Sequence, residues 1–310
     1  MTHFIIRRAI QSFLLLIGVS LVSFFIQRIA PGGPSAFTEN PRLPASYALE
    51  QRHAFGLDQP LQVQYAKWLW QVGHLNFGRS FADQRPAMDK ILDRLPNTLE
   101  LAGTALVLGL LGIPIGIAAA LRRGGIFDQS LRLVTVLGNA IPTWWLGLVI
   151  LILSVKTVDI FPLAGVGDGL FDRIHHLILP ALLLAIGGWL VYSRYMRSEL
   201  LEVLGQDYVR TARAKGLTER TVILSHALRN AMIVIITLLG SELAGLLSVG
   251  VIMESVFSWP GTGRLLWESA LSRDYPVLMA EVVLGATFVI LGNFLADIAY
   301  GFVDPRIKYE

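Results

Sequence analysis

Apolar residues gather in six long stretches along the chain, and polar residues gather between them. The stretches cover about residues 9–29, 99–121, 133–155, 177–196, 232–253 and 277–300. Each stretch is close to the ~20 apolar residues that a helix needs to cross a bilayer, and the runs lack the alternation of barrel strands. Glycine and proline inside several stretches are tolerated in membrane helices. The pattern therefore predicts an all-α, polytopic membrane protein with six transmembrane helices.

The lysine and arginine residues of the connections predict the orientation of these helices. Basic residues gather before the first stretch, in the second and fourth connections and at the C-terminus. Because cytoplasmic loops carry the excess of basic residues, both termini are predicted to be cytoplasmic. The apolar run after Arg7 and Arg8 is longer than the core of a signal peptide, and no small-residue cleavage site follows it. It is interpreted as an uncleaved first helix.

The chain divides accordingly into four parts. Residues 1–29 form the N-terminus and transmembrane helix 1, and residues 30–97 form a small extracytoplasmic domain between helices 1 and 2. Residues 98–305 hold helices 2–6, and residues 306–310 are a cytoplasmic tail. Within the outer domain, apolar and aromatic residues recur at helical spacing after Pro60. This segment is interpreted as a cap resting on the membrane, with a docking platform for an external partner as the alternative.

The fourth connection, residues 197–229, contains a short helix of its own. Asp207 is the predicted N-cap of this helix, and Gly216 is its predicted terminator. The positive-inside bias accounts for the arginines of this connection, but it does not account for a short capped helix ended by glycine. A stiff, exposed and small element of this kind suits insertion into the groove of a partner protein.

The last outer connection combines aromatic residues with a tight turn. Pro260 and Gly261 form the turn, and Phe257, Trp259 and Trp267 are interpreted as anchors at the membrane interface. The segment is predicted to be a re-entrant or interfacial loop. A gate over a transport pathway, formed by Phe257, Trp259, Pro260 and Gly261, is the functional alternative.

Ionisable residues inside the stretches are the other functional markers. Glu242 lies about ten residues into the fifth stretch, near the middle of the bilayer. A small, polar stripe accompanies it, consisting of Ser241, Gly245 and Ser248. The stripe is either the wall of a pathway shared with a partner or a packing seam around a hydrogen-bonded glutamate. Glu254 and Glu281, near the outer edge, are interpreted as snorkelling or paired.

The composition excludes several other classes of protein. The chain is 54% hydrophobic and only 16% charged, which leaves too few charges to coat a soluble surface. It has no cysteine, which excludes disulfides and a thiol nucleophile, and its net charge of +3 does not indicate a nucleic-acid partner. The phosphate-binding, zinc-protease and serine-hydrolase motifs are missing, and no histidine lies inside a stretch. We therefore expect no catalytic site, no metal site and no ATP binding on this chain.

Residues 207–217 (DYVRTARAKGL) resemble the cytoplasmic signature of ABC-importer permeases, in the form found in the dipeptide/oligopeptide/nickel family. Further segments resemble this family in the same order: 30–34 (APGGP), 56–61 (GLDQPL), 77–80 (FGRS), 94–101 (RLPNTLEL), 141–147 (IPTWWLG), 256–261 (VFSWPG), 273–276 (RDYP) and 304–306 (DPR). The resemblance covers nearly the whole chain, and its long first outer connection matches the first of the two permease subunits of the family. Arg210, Thr211 and Ala212 replace the Glu-Ala-Ala of the broader signature, which leaves the individual contacts open.

The resemblance implies a type I ABC-importer permease in the bacterial cytoplasmic (inner) membrane. A paralogous permease subunit would complete the pathway, two ABC ATPase subunits would hold ATP and Mg, and an extracytoplasmic solute-binding protein would deliver the substrate. The chain itself would hold no cofactor and would not be an enzyme. The residues that it implies for ATPase coupling are Asp207, Tyr208, Arg210, Thr211, Ala212, Arg213, Lys215, Gly216 and Leu217.

The substrate that the resemblance favours is a di- or oligopeptide. Glutathione, a nickel chelate or an oligosaccharide are the alternative solutes within the family. A stand-alone secondary transporter is the main alternative class, although the chain shows no clear internal repeat of the kind that many such transporters contain. An intramembrane hydrolase is the third interpretation, and the lack of an intramembrane histidine argues against it.

Overall fold

The computed structural model describes residues 2–29, 58–157, 162, 164–245 and 250–303. Over these residues the regular structure is helical, with one isolated β-bridge between Arg79 and Pro86. The helices are α1 (Thr2–Ile29), α2 (Leu61–Gly73), α3 (Ala87–Gly109), α4 (Gly112–Leu121), α5 (Ile126–Asn139), α6 (Thr143–Thr157), α7 (Leu170–Leu204), α8 (Asp207–Ala214), α9 (Glu219–Thr221), a π-helical turn (Val222–Ala227), α10 (Leu228–Gly245), α11 (Val251–Val256), α12 (Thr262–Ser272) and α13 (Tyr275–Val303). The predicted all-α class is confirmed.

Most of the predicted membrane spans form single helical segments. The segments that are long and apolar enough to cross a bilayer are Ile5–Gln27, Ala87–Leu121, Leu170–Leu204, Glu219–Gly240 and Tyr275–Phe294. The third stretch departs from its prediction as one helix, because α5 and α6 meet there at an angle of 89°. Pro142 directly precedes α6, and proline both lacks an amide donor and restrains the residue before it. Counting this bent pair as one span restores the predicted six.

The helices belong to two compact units. The first unit comprises Met1–Thr98, Leu247–Ser255 and Pro260–Glu310. Its apolar core brings together α3, α12 and α13, through Phe77, Ala87, Ile91, Leu265, Val277, Ala280 and Val283. The predicted helix after Pro60 is confirmed as α2. It packs on α1, where the Tyr65 hydroxyl lies 2.9 Å from the Ser20 hydroxyl and the Tyr65 ring lies edge-on to Phe24.

The second unit comprises Leu99–Leu246 and Val256–Trp259. Its centre is the close contact of α4 with α7, where an added Cβ at Gly116 would lie 2.5 Å from the Ser193 carbonyl oxygen. The Arg197 guanidinium pairs with the buried Asp128 carboxylate, so that α5 is tied to α7. Small residues and a paired charge therefore hold α7 against its neighbours, and α7 leads directly into the fourth connection.

Candidate functional site

The predicted coupling helix is α8, which follows α7 after a two-residue turn. Its N-cap is Gln206, whose backbone is extended (φ −71°, ψ 151°), and Asp207 is the first helical residue. The prediction of Asp207 as N-cap is therefore wrong by one position. In the first turn, the Asp207 carboxylate still stabilises the helix, because the N-terminal end of a helix dipole is positive.

Helix α8 has one buried and one exposed face. Val209 and Ala212 are 0% and 6% exposed, and they pack against Val222 of the π-helical turn. The remaining predicted coupling residues are exposed: Asp207, Tyr208, Arg210, Thr211, Arg213, Lys215, Gly216 and Leu217. Ala212 thus faces the body of the second unit, so it contributes packing to α8 and cannot touch a partner directly.

Polar contacts connect the exposed face of α8 to the helices that follow it. The Asn230 side-chain amide donates to the Tyr208 hydroxyl over 2.6 Å, which joins α8 to α10. The Arg213 guanidinium donates to both carboxylate oxygens of Glu219, at 2.6 and 3.0 Å. The hydrogen bond to Glu219 raises the pKa of Arg213, so this side chain stays charged. Helix α8 is therefore connected to α9 and α10 by side chains as well as by the backbone.

The end of α8 depends on a left-handed glycine. Gly216 has φ +80° and donates its amide to the Arg213 carbonyl, while the Leu217 amide donates to the Ala212 carbonyl. These two bonds form the Schellman motif, which normally carries glycine at its left-handed position. An added Cβ at Gly216 would meet nothing within 4 Å, so the requirement for glycine is one of backbone conformation alone. The predicted terminator is confirmed.

The predicted pathway stripe lies on and beyond α10. Glu242 is half-buried on this helix, and Ser241 and Gly245 belong to the same helix. Ser248 lies outside the described residues, as do residues 30–57 and 304–310 with the family segments that they contain. A pathway role for this stripe stays a prediction.

Two of the three aromatic residues that were interpreted as interface anchors, Phe257 and Trp259, are buried. Phe257 and Trp259 are 3% and 0% exposed within the second unit. Trp259 packs against Leu101, Leu177 and Ala181, and the Arg173 guanidinium lies 5.9 Å from the centre of its ring. Their interpretation as interface anchors is therefore wrong, because buried side chains cannot reach the lipid headgroups. Trp267 is 52% exposed, and the gate interpretation stays a prediction.

Glu254 occupies a buried polar site in the first unit. Its carboxylate is 0% exposed and accepts hydrogen bonds from the Thr98 hydroxyl, over 2.8 Å, and from the Arg264 amide, over 2.9 Å. The backbone at Gly261 approaches so closely that a Cβ there would collide with this carboxylate. The snorkelling interpretation of Glu254 is therefore wrong, because its carboxylate is buried and is held by hydrogen bonds. Gly261 is needed for this close packing, whether or not the loop also acts as a gate.

A second buried cluster was not anticipated from the sequence. The Asp274 carboxylate is 2% exposed and accepts hydrogen bonds from the Ser80 hydroxyl, over 2.5 Å, and from the Phe81 amide, over 2.9 Å. The Lys90 ammonium lies 3.1 Å from the Ser80 hydroxyl and 2.9 Å from the Asp83 carboxylate. The cluster joins two segments of the family resemblance, 77–80 and 273–276. The resemblance of both segments to the family was the signal available in the sequence. It does not show that Ser80 and Asp274, which are 194 positions apart, form a hydrogen bond.

Comparison with known protein families shows to which family this chain belongs. The family model of the binding-protein-dependent transport system inner membrane component matches residues 112–309. A second model, for the N-terminal part of binding-protein-dependent transport system membrane components, matches residues 1–102. The chain belongs to this family. It is a binding-protein-dependent permease, and hence a multi-pass inner-membrane transport component rather than an enzyme.

Relatives of this permease match it from end to end. The oligopeptide transport system permease protein AppB of Bacillus subtilis (strain 168) is 40% identical over 316 residues, with 100% of each chain covered. The dipeptide transport system permease protein DppB of Escherichia coli (strain K12) is 36% identical over 342 residues, also with 100% of each chain covered. The di/tripeptide transport system permease protein DppB of Pseudomonas aeruginosa (strain UCBPP-PA14) is 36% identical over 335 residues, with the same coverage. The resemblance seen in the sequence is confirmed over the full length of the permease.

Proposed function

We propose that this permease is one of two membrane subunits of an ATP-driven importer that moves di- and oligopeptides into the cell. Full-length relatives named as oligopeptide, dipeptide and di/tripeptide permeases support this substrate class. The other components would be a paralogous permease subunit, two ABC ATPase subunits and an extracytoplasmic solute-binding protein. ATP and Mg would be held by the ATPase subunits, and this chain would hold no cofactor.

The observation that carries this proposal is the two-faced geometry of α8. Val209 and Ala212 bind the helix to its own chain, and the opposite face remains available to a partner. Four basic side chains are exposed on and just after α8: Arg210, Arg213, Lys215 and Arg220. A short helix packed on one side and charged on the other is suited to sit in a groove of an ATPase subunit and to follow its movements.

The same geometry supports a path by which the movement would spread. Closure of the ATPase dimer would displace α8, and the buried contact with Val222 would transmit the displacement to the π-helical turn and α10. The Tyr208–Asn230 hydrogen bond links the same two helices directly. Helix α7 would move with them, because only Gly205 and Gln206 separate it from α8. Tilting of these helices would change the access of the pathway from inward-open to outward-open.

A matched pair of charge reversals tests the coupling role. Arg210 and Arg123 are both exposed arginines of predicted cytoplasmic connections, but only Arg210 lies on α8. The complete complex, with its binding protein, is reconstituted in vesicles that carry Arg210→Glu or Arg123→Glu. We expect Arg210→Glu to lower ATP-dependent uptake of a labelled dipeptide by about tenfold or more, the effect of losing ~1.4 kcal/mol of docking energy. Arg123→Glu should transport like the unmodified complex.

Two results would overturn parts of this proposal. Normal uptake and normal copurification of the ATPase subunits with Arg210→Glu would remove the docking role from this face of α8. Uptake that persists when the ATPase subunits are omitted would identify a secondary transporter instead. Competition of the labelled dipeptide by glutathione, a nickel chelate or an oligosaccharide, each added alone, checks the substrate class, because only unlabelled peptides should compete.

A further inference from the structure

The first unit contains a cavity that none of the features above explains. Its volume is about 390 Å³, and it lies between the first turns of α3, the start of α12 and the N-terminal half of α13. Its walls are mainly apolar and include Met88, Ile91, Leu95, Leu266, Leu284 and Phe288. A cavity of a few hundred Å³ with apolar walls and few polar groups is typical of sites for small molecules.

The charged group that lines this cavity is Glu281. One of its carboxylate oxygens, Oε1, is buried and has no hydrogen-bond partner among the residues that the structure describes. Glu281 lies six residues after the start of α13, or about 9 Å along the helix. A carboxylate in such apolar surroundings costs several kcal/mol unless a cation or hydrogen-bond donors compensate it. Across the described residues, no ion pair to Glu281 supplies that compensation.

The nearby carboxylate of Glu254 differs from that of Glu281 in its hydrogen bonds. Glu254 acts on Glu281 electrostatically, and its own oxygens are engaged by the Thr98 hydroxyl and the Arg264 amide. The fold thus satisfies one of two nearby carboxylates and leaves Oε1 of the other without a hydrogen-bond partner among the described residues, in a side chain that lines the cavity. A carboxyl group beside an apolar space favours a ligand that carries a positive charge and an apolar part, because the cation would compensate the carboxylate.

We propose that this cavity binds a primary ammonium group attached to an apolar body, with Glu281 as the counter-ion. Two sources share this chemistry, namely the amino terminus of a peptide and the head group of an amine-bearing lipid. The peptide source rests on the proposed function, and it would make the cavity a contact site for the first residue of the transported peptide. Glu281 would then bind the α-ammonium group, and the apolar walls would receive the first side chain.

The absence of cysteine from the chain allows a direct test of the cavity. Gly285 lines the cavity, and an added Cβ there meets nothing within 4 Å, so Gly285→Cys places one thiol in the cavity without a collision. In the complete complex in vesicles, labelling of this chain by cationic aminoethyl methanethiosulfonate is compared with labelling by neutral methyl methanethiosulfonate. Gly73→Cys, at the exposed end of α2, is the control for the reagents.

The expected result is a preference for the cationic reagent that depends on Glu281. We expect Glu281→Gln to lower the ratio of cationic to neutral labelling rates at Gly285→Cys by about tenfold and to leave the ratio at Gly73→Cys unchanged. An equal ratio with and without Glu281 would overturn the proposal. A thiol at position 285 that reacts in the isolated chain but not in the complex would also overturn it, because the cavity would then be covered by another subunit.

The ligand is identified with Glu281 left intact, so this part does not depend on the folding of the Glu281→Gln variant. Phe-Ala dipeptide should slow the labelling of Gly285→Cys, and its N-acetylated form should not. Slowing by phosphatidylethanolamine in phosphatidylcholine vesicles, without slowing by the dipeptide, would keep the ammonium site and assign it to lipid. Slowing by neither would overturn the proposal. ATP-dependent uptake by the same vesicles tests the proposed transport function separately from the cavity site. Normal uptake without slowing of the labelling would refute the cavity site alone. A lack of uptake would refute the transport function.

Discussion

Replacement of Gly216 tests whether the rigid end of α8 is required for coupling. This residue has φ +80°, in the left-handed region that residues other than glycine enter at a cost of about 1–2 kcal/mol. Because no atom lies within 4 Å of an added Cβ, the substitution adds no collision, and the whole cost is one of backbone conformation. Gly216→Ala should therefore weaken the turn by roughly 5–30-fold in its equilibrium constant.

The side chain chosen at position 216 sets the size of the effect. Asparagine tolerates the left-handed conformation better than alanine, and β-branched valine tolerates it least. We expect the number of peptides imported per ATP hydrolysed to be highest for Gly216→Asn, lower for Gly216→Ala and lowest for Gly216→Val. The assay measures dipeptide uptake and phosphate release in the same reconstituted vesicles, so that loss of coupling is separated from loss of ATPase activity.

The chain provides a matched control at Gly124. This glycine has φ +79°, and an added Cβ there also meets nothing within 4 Å, but it lies between α4 and α5. Gly124→Val thus imposes a similar strain away from α8 and should leave the coupling ratio unchanged. The reasoning is refuted if Gly216→Val couples like the unmodified protein. It is also refuted if Gly124→Val lowers the coupling ratio as much as Gly216→Val does.

Three further predictions concern packing inside each of the two units. Glu254→Ala removes a buried acceptor of two hydrogen bonds and should lower the unfolding free energy in detergent by about 3–5 kcal/mol, with an unchanged thermal midpoint as the contradictory result. Asp274→Asn should weaken the cluster that holds residues 77–86 by about 1–3 kcal/mol. Proteolysis within these residues should therefore be faster in the variant, and a cleavage rate equal to that of the unmodified protein would exclude this role. Gly116→Ala puts a Cβ 2.5 Å from the Ser193 carbonyl oxygen and should lower the unfolding free energy by about 1–3 kcal/mol. Gly103→Ala, which has open space around the added Cβ, should lower it little. Similar losses of unfolding free energy for both variants would argue against close packing as the cause.

Hydropathy was sufficient to predict the membrane-spanning helices because a bilayer leaves the backbone few choices. A chain that crosses hydrocarbon must satisfy its amide groups internally, so long apolar runs become helices whatever their neighbours are. The short helix α8 was equally visible, since Gly205 and Gly216 mark its two sides in the sequence itself. The break in the third stretch also had a local signal at Pro142, although only the structure shows the bend of 89°.

Residue type alone was a poor guide to the outer connection. Phe257 and Trp259 have the amphipathic character of interface residues, yet both are buried. Trp259 packs against Leu101 and Leu177, which lie far away in the sequence, and a sliding window along the chain cannot include such contacts. The same limit applies to Ala212, which belongs to the coupling signature but faces inward.

The sequence by itself determined the class of the protein, the number of apolar stretches and the position of the short helix α8, because each of these depends on residues close together in the chain. Only the tertiary structure decided which polar groups meet. Ser80 and Asp274 bond across 194 positions, and Glu254 is satisfied by Thr98 and Arg264, whereas Oε1 of Glu281 has no hydrogen-bond partner among the described residues. The two glutamates are similar in the sequence, and their difference arises because a hydrogen bond needs a partner within about 3 Å in space, which chain packing alone supplies.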